Sequence, residues 1–444
     1  MSERHREKNA QKGRIADMII SDRIRSLADE AEAELSEVFR DIDATARANT
    51  EHVLDVFREN EVSESYFAPS TGYGYGDRGR DAIDRICAGV FRAEAGFMRH
   101  SMASGTHALT IGLFALLRPG DVMLSVTGIP YDTMLDVIGI DETGTRRADG
   151  TGSLADFGVM YRGIPMTDNG IDLPAVAAAI RDVGSKIKVV YIQRSKGYLA
   201  RPTLTVAEIR SAAKTVRCAA TEAGIPAPFV VVDNCYGEFT ETSEPTGGED
   251  GADMIIGSLI KNPGGGVADC GGYIAGSARA AELAGYRLCC PGVGLEAGAT
   301  LGQNRNILRG LFMAPHTVAQ AMKTAHLAAY IFDSLGYRVS PGPFERRSDI
   351  IQTVECGTGE RLVRFCRGIQ SASPVDAHVS PEPWAMPGYA DEVVMAAGAF
   401  VGGSSIELSC DGPMRPPHTA FLQGGLTYES GRLGIMRAAE AMEE

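Results

Sequence analysis

The sequence predicts an α/β protein, with a large domain on a mostly parallel sheet covered by helices and a smaller C-terminal α/β domain. Three observations predict this. Short apolar runs are nearly continuous, as strands buried on both faces require. Stretches with apolar residues spaced by three and four separate them, the signature of helices. The 52 glycines lie in tight loops beside the apolar runs, which suits a backbone that approaches a ligand closely.

In chain order, residues 14–60 repeat apolar positions at helical spacing and carry no visible chemistry. They read as an N-terminal helical arm (1–65) that packs on the body or on a partner subunit. The large domain (66–314) contains strands VMLSV (122–126), KVVYIQ (188–193), FVVVD (229–233), MIIGS (254–258) and GGYIAG (271–276). Helices are expected over 81–98 and 205–224. A long helix over 315–335 ends at Gly336 and opens the small domain (315–444). In such sheets ligands bind beyond the carboxyl ends of the strands.

The chain has 444 residues, 44% hydrophobic and 23% charged, with a net charge of −14. That length exceeds one simple core, and the acidic balance disfavours nucleic acid and anionic membranes as partners. No window reaches the roughly 18 uninterrupted apolar residues of a membrane span. The nine cysteines stand singly apart from Cys289 and Cys290. With no C-x-x-C and no apolar leader core, they read as reduced thiols of a cytoplasmic protein.

Asp233 follows four consecutive apolar residues, and a carboxylate at the end of a buried strand is paired or functional. Lys261 follows the next strand, in LIKNPGGG. This order of Asp and Lys is that of an enzyme holding pyridoxal 5'-phosphate (PLP), in which the lysine forms an imine and the Asp keeps the pyridine nitrogen protonated. Ser104, Gly105 and Thr106 open an apolar helix whose N–H groups suit a phosphate, and Ser258 offers a further hydroxyl. Tyr131 follows a strand end, where it can stack on a flat ring. The plainer readings are a turn-capping Asp, a surface lysine, a helix cap and a buried loop tyrosine. GVGLEAG (292–298) lacks the strand and third glycine of a dinucleotide site, and no P-loop, G-x-S-x-G or H-E-x-x-H is present. No metal site is expected.

The ordered set GYGYGDRGRDAIDRI, SGTHAL, GIPYDT, VVVDNCYGEF, GSLIKNPGGG, PEPWAMPGY and IELSCDGPMRPP resembles the methionine γ-lyase-like family. That family carries the name aluminium resistance protein and belongs to the cystathionine-lyase group of fold-type I PLP enzymes, which implies a mostly parallel, seven-stranded-type sheet in the large domain. The resemblance implies a Schiff-base role for Lys261, a pyridine-nitrogen role for Asp233, and phosphate contacts from Ser104, Gly105, Thr106 and Ser258. It further implies stacking by Tyr131, a cofactor-hydroxyl contact from Ser195, and Arg415 as the arginine for the substrate carboxylate. Tyr75 and Arg78, with Tyr73 as a competitor, would reach the phosphate of a neighbouring subunit in a homodimer or homotetramer with shared active sites. Ile129 stands where the family often carries a lysine or another polar residue, which bears on the leaving group accepted. The implied activity is β- or γ-elimination from an L-amino acid, with Lys261 taking the α-proton and Tyr131 serving as acid to a departing thiol. Alternatives are expulsion of a non-thiol group such as a γ-halide, an aminotransferase or aldolase, and a non-enzymatic metal-resistance protein using EDGAD (249–253).

Overall fold

The structure, a computed structural model, describes residues 19–443 except 169, 200 and 387–390. It divides into two compact units, Asn49–Phe312 and, together, the chain up to Ala48 with Met313–Glu444.

The unit Asn49–Phe312 is built on seven strands: β1 (Ala95–Arg99), β2 (Val122–Ser125), β3 (Met160–Gly163), β4 (Ile187–Gln193), β5 (Phe229–Asp233), β6 (Met254–Ser258) and β7 (Gly272–Gly276). Their order is β1-β7-β6-β5-β4-β2-β3. The ladders from β3 to β6 are parallel, whereas β7 pairs antiparallel with both β6 and β1. The mostly parallel sheet expected from the apolar runs is therefore present, with the seven strands that the resemblance implies. Val230, Val231 and Val232 of β5 and Met254, Ile255 and Ile256 of β6 are fully buried, as central strands covered on both faces must be.

The helix Gly105–Leu116 is apolar nearly all round and buries Ala108, Leu109, Ile111, Leu113, Ala115 and Leu116. It contacts β6 and β7. Gly112 permits the approach, because a Cβ there would stand 2.4 Å from Ile256 Cδ1. This packing delivers the N-terminus of the helix to the carboxyl end of β6. The helix expected over 205–224 is Val206–Ala223, started by a capping box between Thr205 and Glu208.

Two expectations need correction. The helix over 81–98 is instead Arg78–Val90 followed by β1. Arg92 adopts φ +52°, which ends helical geometry. Gly96 then lies so close to β7 that a Cβ would meet that of Ala275 at 2.9 Å, so sheet pairing overrides the helical spacing. The helix expected over 315–335 is Asn304–Ser334, with Pro315 inside it. Burial of Ile307, Leu308, Leu311 and Ala314 outweighs the backbone bond that the proline removes.

In the other unit, β8 (Arg338–Ser340), β9 (Ile351–Glu355), β10 (Val393–Ala396), β11 (Ser409–Pro413) and β12 (Thr419–Gln423) form an antiparallel sheet of order β10-β11-β12-β9-β8. The helical segment read over 14–60 consists of Asp22–Glu34 and Ser36–Glu59, and 14–18 lie outside the described residues. Ile24, Ala28 and Ala31 enter a core with Ile331, Phe365 and Ile435. The Ser21 backbone N–H and hydroxyl both donate to Glu440 Oε2, at 2.9 and 2.8 Å.

Arg99 of β1 forms a forked, largely buried pair with Asp84 of the helix Arg78–Val90. Arg99→Ala should cost about 3–5 kcal/mol in urea unfolding, because it leaves a buried carboxylate unpaired. The double substitution Arg99→Met with Asp84→Leu should recover most of that loss; failure to do so would show that packing, not charge pairing, dominates there.

Candidate active site

β5 ends on Asp233, which is 7% exposed and lies beside Gln193 of β4 and Ile256 of β6 in the ladder. Its Oδ1 accepts the Cys235 N–H at 3.1 Å and its Oδ2 accepts the Tyr191 hydroxyl at 3.4 Å. Three residues past the end of β6, the Lys261 Nζ stands 4.1 Å from the ring centroid of Tyr236. Tyr236 holds φ +70°, a left-handed conformation that is strained for a bulky residue and clusters at functional sites. Burial pushes the Asp233 carboxyl up and Lys261 pulls it back toward the ionised form. For Lys261, burial works against the ammonium, but Cys235, Tyr236, Asp233 and Glu238 hold it above its ordinary value.

Beside this pair the helix Gly105–Leu116 presents its N-terminus. The Ser104 side chain caps it by accepting from the His107 N–H at 3.1 Å. A Cβ on Gly105 would stand 3.2 Å from Ser258 Cβ and 3.5 Å from Cys235 Sγ, so only glycine leaves that cradle open. The Ser258 hydroxyl is buried with no hydrogen-bond partner among the described residues, and such groups call for an explanation. Thr106 Oγ1 lies 2.9 Å from Thr133 Oγ1, two residues past Tyr131. The Tyr131 N–H donates to Gln193 Oε1 at 2.7 Å, and Gln193 Nε2 donates to the Ser195 carbonyl at 3.1 Å. The Tyr131 ring tilts against Tyr198, with centroids 5.7 Å apart. Asp233, Lys261, Ser104, Gly105, Thr106, Ser258, Tyr131 and Ser195 are thus joined through direct contacts and shared neighbours.

Tyr73, Tyr75 and Arg78 lie apart from these contacts. The two tyrosines stack at 5.4 Å and are 74% and 65% exposed. Their loop is nevertheless fixed: Arg80 donates to the Gly74 and Gly298 carbonyls, and Asp77 accepts from Thr300 and Ser70. Arg415 belongs to the other unit, is half-exposed, and pairs with Asp391 at 3.0 Å. Two of the three carboxylates of EDGAD take separate cations, Asp250 with Lys214 and Asp253 with Arg217. Among the described residues no group of three or more His, Cys, Asp or Glu is arranged to hold a metal ion.

The sequence reading passed over a buried polar layer beneath the site. Arg194, fully buried, bonds Asn234 Oδ1 and Glu241 at 2.9 Å each. Asn234 Nδ2 donates to Glu244 and to the Tyr273 hydroxyl, and Tyr273 donates to Glu238 Oε1 at 2.8 Å. The Glu238 Oε2 atom has no partner among the described residues, and burial pushes its carboxyl up to about 8. Asn234 and Glu238 stand in NCYGEF, directly after the end of β5, and Arg194 directly follows β4; nothing in the sequence marked Glu241, Glu244 or Tyr273.

Residues 24–443 match the family model described as methionine gamma-lyase. The chain is 45% identical over 420 residues to the uncharacterized protein YnbB of Bacillus subtilis (strain 168), covering 94% of this chain and 96% of that one. It is similar to the structure of a carbon-sulfur lyase involved in aluminum resistance from Clostridium novyi NT, at 42% identity and a TM-score of 0.88 over 99% of each chain. A structure from Clostridium acetobutylicum, provisionally named a cystathionine beta-lyase involved in aluminum resistance, gives 41% identity and a TM-score of 0.90 over 99% of each chain. The PLP-dependent protein YhfS of Escherichia coli, at 17% identity and a TM-score of 0.59, covers 90% of this chain and 96% of its own and shares the fold.

Glu238 titrates near 8 when folded and at its ordinary 4.5 when unfolded. Between those values the folded state keeps a proton that the unfolded state has lost, so stability falls as pH rises through the window. The slope from this one group is at most about 1.4 kcal/mol per pH unit. Glu238→Gln removes it, so thermal unfolding of the variant should decline less between pH 5 and pH 8 than that of the parent; parallel declines would refute the assignment.

Proposed function

We propose, from the premise that this chain belongs to the methionine gamma-lyase family, that it is a PLP-dependent lyase removing a β- or γ-leaving group, a thiol first of all, from an L-amino acid. The observation that carries the reading is the placement of buried Asp233 and Lys261 at the carboxyl ends of the adjacent parallel strands β5 and β6, beside an open cradle. The names given to the two clostridial relatives support a sulfur leaving group.

The residues fit the cofactor. The unpartnered Ser258 hydroxyl, the open side of Gly105 and the N-terminus capped by Ser104 suit a phosphate, to which Thr106 adds a hydroxyl. When bound, PLP supplies an aldehyde for amines and a ring that accepts an electron pair. Asp233, oriented by the Cys235 N–H and the Tyr191 hydroxyl, would hold a proton on the ring nitrogen. Ser195 would contact the ring hydroxyl and Tyr131 would pack on the ring. Lys261 would hold the aldehyde and, when free, serve as the base for the substrate α-proton. Tyr131 would supply its hydroxyl proton to the departing sulfur. In a homodimer, Tyr75 and Arg78 would contact the phosphate of the neighbouring subunit.

Two experiments test this. Amino acids bearing β- or γ-thiol substituents should release a 2-oxo acid and ammonia, and borohydride should attach the pyridoxyl group to Lys261. A keto acid with its side chain intact, accompanied by pyridoxamine phosphate, would make the protein an aminotransferase instead. For the shared site, inactive Arg78→Ala and inactive Lys261→Ala chains should regain activity when mixed, since each mixed dimer contains one intact site. No recovery in verified mixed dimers would assign Arg78 to its own subunit.

A further inference from the structure

Of the nine cysteines, Cys289 and Cys290 alone are adjacent in the sequence. Cysteine is among the residue types most often buried, and Cys87, Cys235, Cys356, Cys366 and Cys410 follow that habit. Cys289 and Cys290 do not: both are free thiols and both are exposed. Packing therefore gives no account of them. Their sulfurs nevertheless touch, with the Cys289 thiol donating to Cys290 Sγ at 3.9 Å.

The backbone keeps the two thiols together. Cys289 ends the helix Ala278–Leu288 and donates its N–H to the Gly285 carbonyl at 3.2 Å. The Cys290 carbonyl accepts the N–H groups of Val293 and Gly294, at 3.2 and 3.0 Å. On either side Leu288 and Leu295 pack against the core, and a Cβ on Gly285 would stand 2.8 Å from Leu295 Cγ. The segment is pinned at both ends, so little ordering remains for a ligand that takes both sulfurs.

Three chemistries compete for such a pair. A disulfide is disfavoured. Neighbouring Cα atoms across a trans peptide lie about 3.8 Å apart, short of the roughly 4.4–6.8 Å that disulfides span, so the bond would be strained and easily reduced. A structural zinc ion takes four ligands, and among the described residues no group of three or more His, Cys, Asp or Glu is arranged to hold a metal ion. Trivalent arsenic fits the pair. It is soft and prefers sulfur, as thiolate ligands require of their partners, and its pyramidal geometry sets two sulfurs side by side. The helix C-terminus disfavours a thiolate, and partial burial and then the bond to Cys290 hold the Cys289 thiol above its ordinary value. Arsenic hydroxides exchange with neutral thiols, so this does not impede them.

We propose that Cys289 and Cys290 form a bidentate site for trivalent arsenicals. For a monosubstituted arsenical, RAs(OH)2, two As–O and two S–H bonds break, two As–S bonds form, and two waters leave. Arsenic stays trivalent and nothing is oxidised.

Phenylarsine oxide, titrated into the full-length chain and followed by native mass spectrometry, should add once per chain. Peptide mapping should place it on Cys289 and Cys290. Cys289→Ser and Cys290→Ser should each weaken binding about 100-fold, because each leaves one sulfur where two linked ones acted. Both positions are exposed, so the melting temperature should not change with the loss. A dithiol, 2,3-dimercaptopropanol, should strip the arsenical at concentrations where 2-mercaptoethanol does not. Undiminished affinity in either single variant would overturn the proposal. So would an adduct mapped to Cys366 and Cys410, whose sulfurs stand 3.8 Å apart within the core. Parent protein carrying a Cys289–Cys290 disulfide that low-molecular-weight thiols leave intact would overturn it as well.

Discussion

Two opposite charges placed at neighbouring strand ends govern the site. Asp233 closes a strand of three fully buried valines, and burial there favours its neutral form. Lys261, just beyond the next parallel strand, counters that tendency. The coupling requires β5 and β6 to be adjacent and parallel, so that both carboxyl ends point the same way. It also requires a tight approach of everything around it. Gly112 lets the apolar helix sit down on β6, Gly105 leaves the cradle open, and Tyr236 takes an unfavourable left-handed conformation with its ring against the lysine. Strain of that kind costs about 1–3 kcal/mol and persists only where the surrounding packing enforces it.

Below the charged pair lies a polar layer that the low dielectric makes demanding. Arg194 anchors it with two carboxylates and an amide, and Tyr273 carries the chain of hydrogen bonds onward to Glu238. Gly257 of β6 is part of the same fit, since a Cβ there would stand 2.5 Å from Glu238 Oε1. A neutral Glu238 leaves Asp233 as the carboxylate that balances Lys261. An ionised one would add a second negative charge beside the lysine and hold its ammonium more firmly, which opposes work as a base.

Much of this was legible before folding was considered. β5 and β6 lie at the residues expected, because a strand buried on both faces writes itself as an unbroken apolar run. The helix after Thr205 lies where its apolar spacing placed it. β3 did not, since an edge strand with mostly exposed residues carries no such run. β1 was hidden because its residues continue a helical spacing, and only Gly96 against Ala275 reveals the pairing. Lys261 and Asp233 were visible from their positions at strand ends. Glu238 was not, for its properties come from burial by a segment distant in the chain, that of Tyr273.

The division of the chain between its two units also sets an order of events during synthesis. Residues 49–312 form one uninterrupted stretch and can close their sheet while the ribosome is still at work, as domains generally do. The helix Asp22–Glu34 leaves the ribosome before that stretch but waits longer. Its partners include Tyr428 and Arg432 of the helix Tyr428–Glu443, and its capping Ser21 bonds Glu440 of the same helix, all translated after that stretch. Until those residues emerge, the core that Ile24, Ala28 and Ala31 enter is incomplete, and their apolar stripe is open to chaperones or to other nascent chains. A premature stop before residue 428 would remove Ile435, Met436 and Met442 from that core and leave the stripe only partly covered.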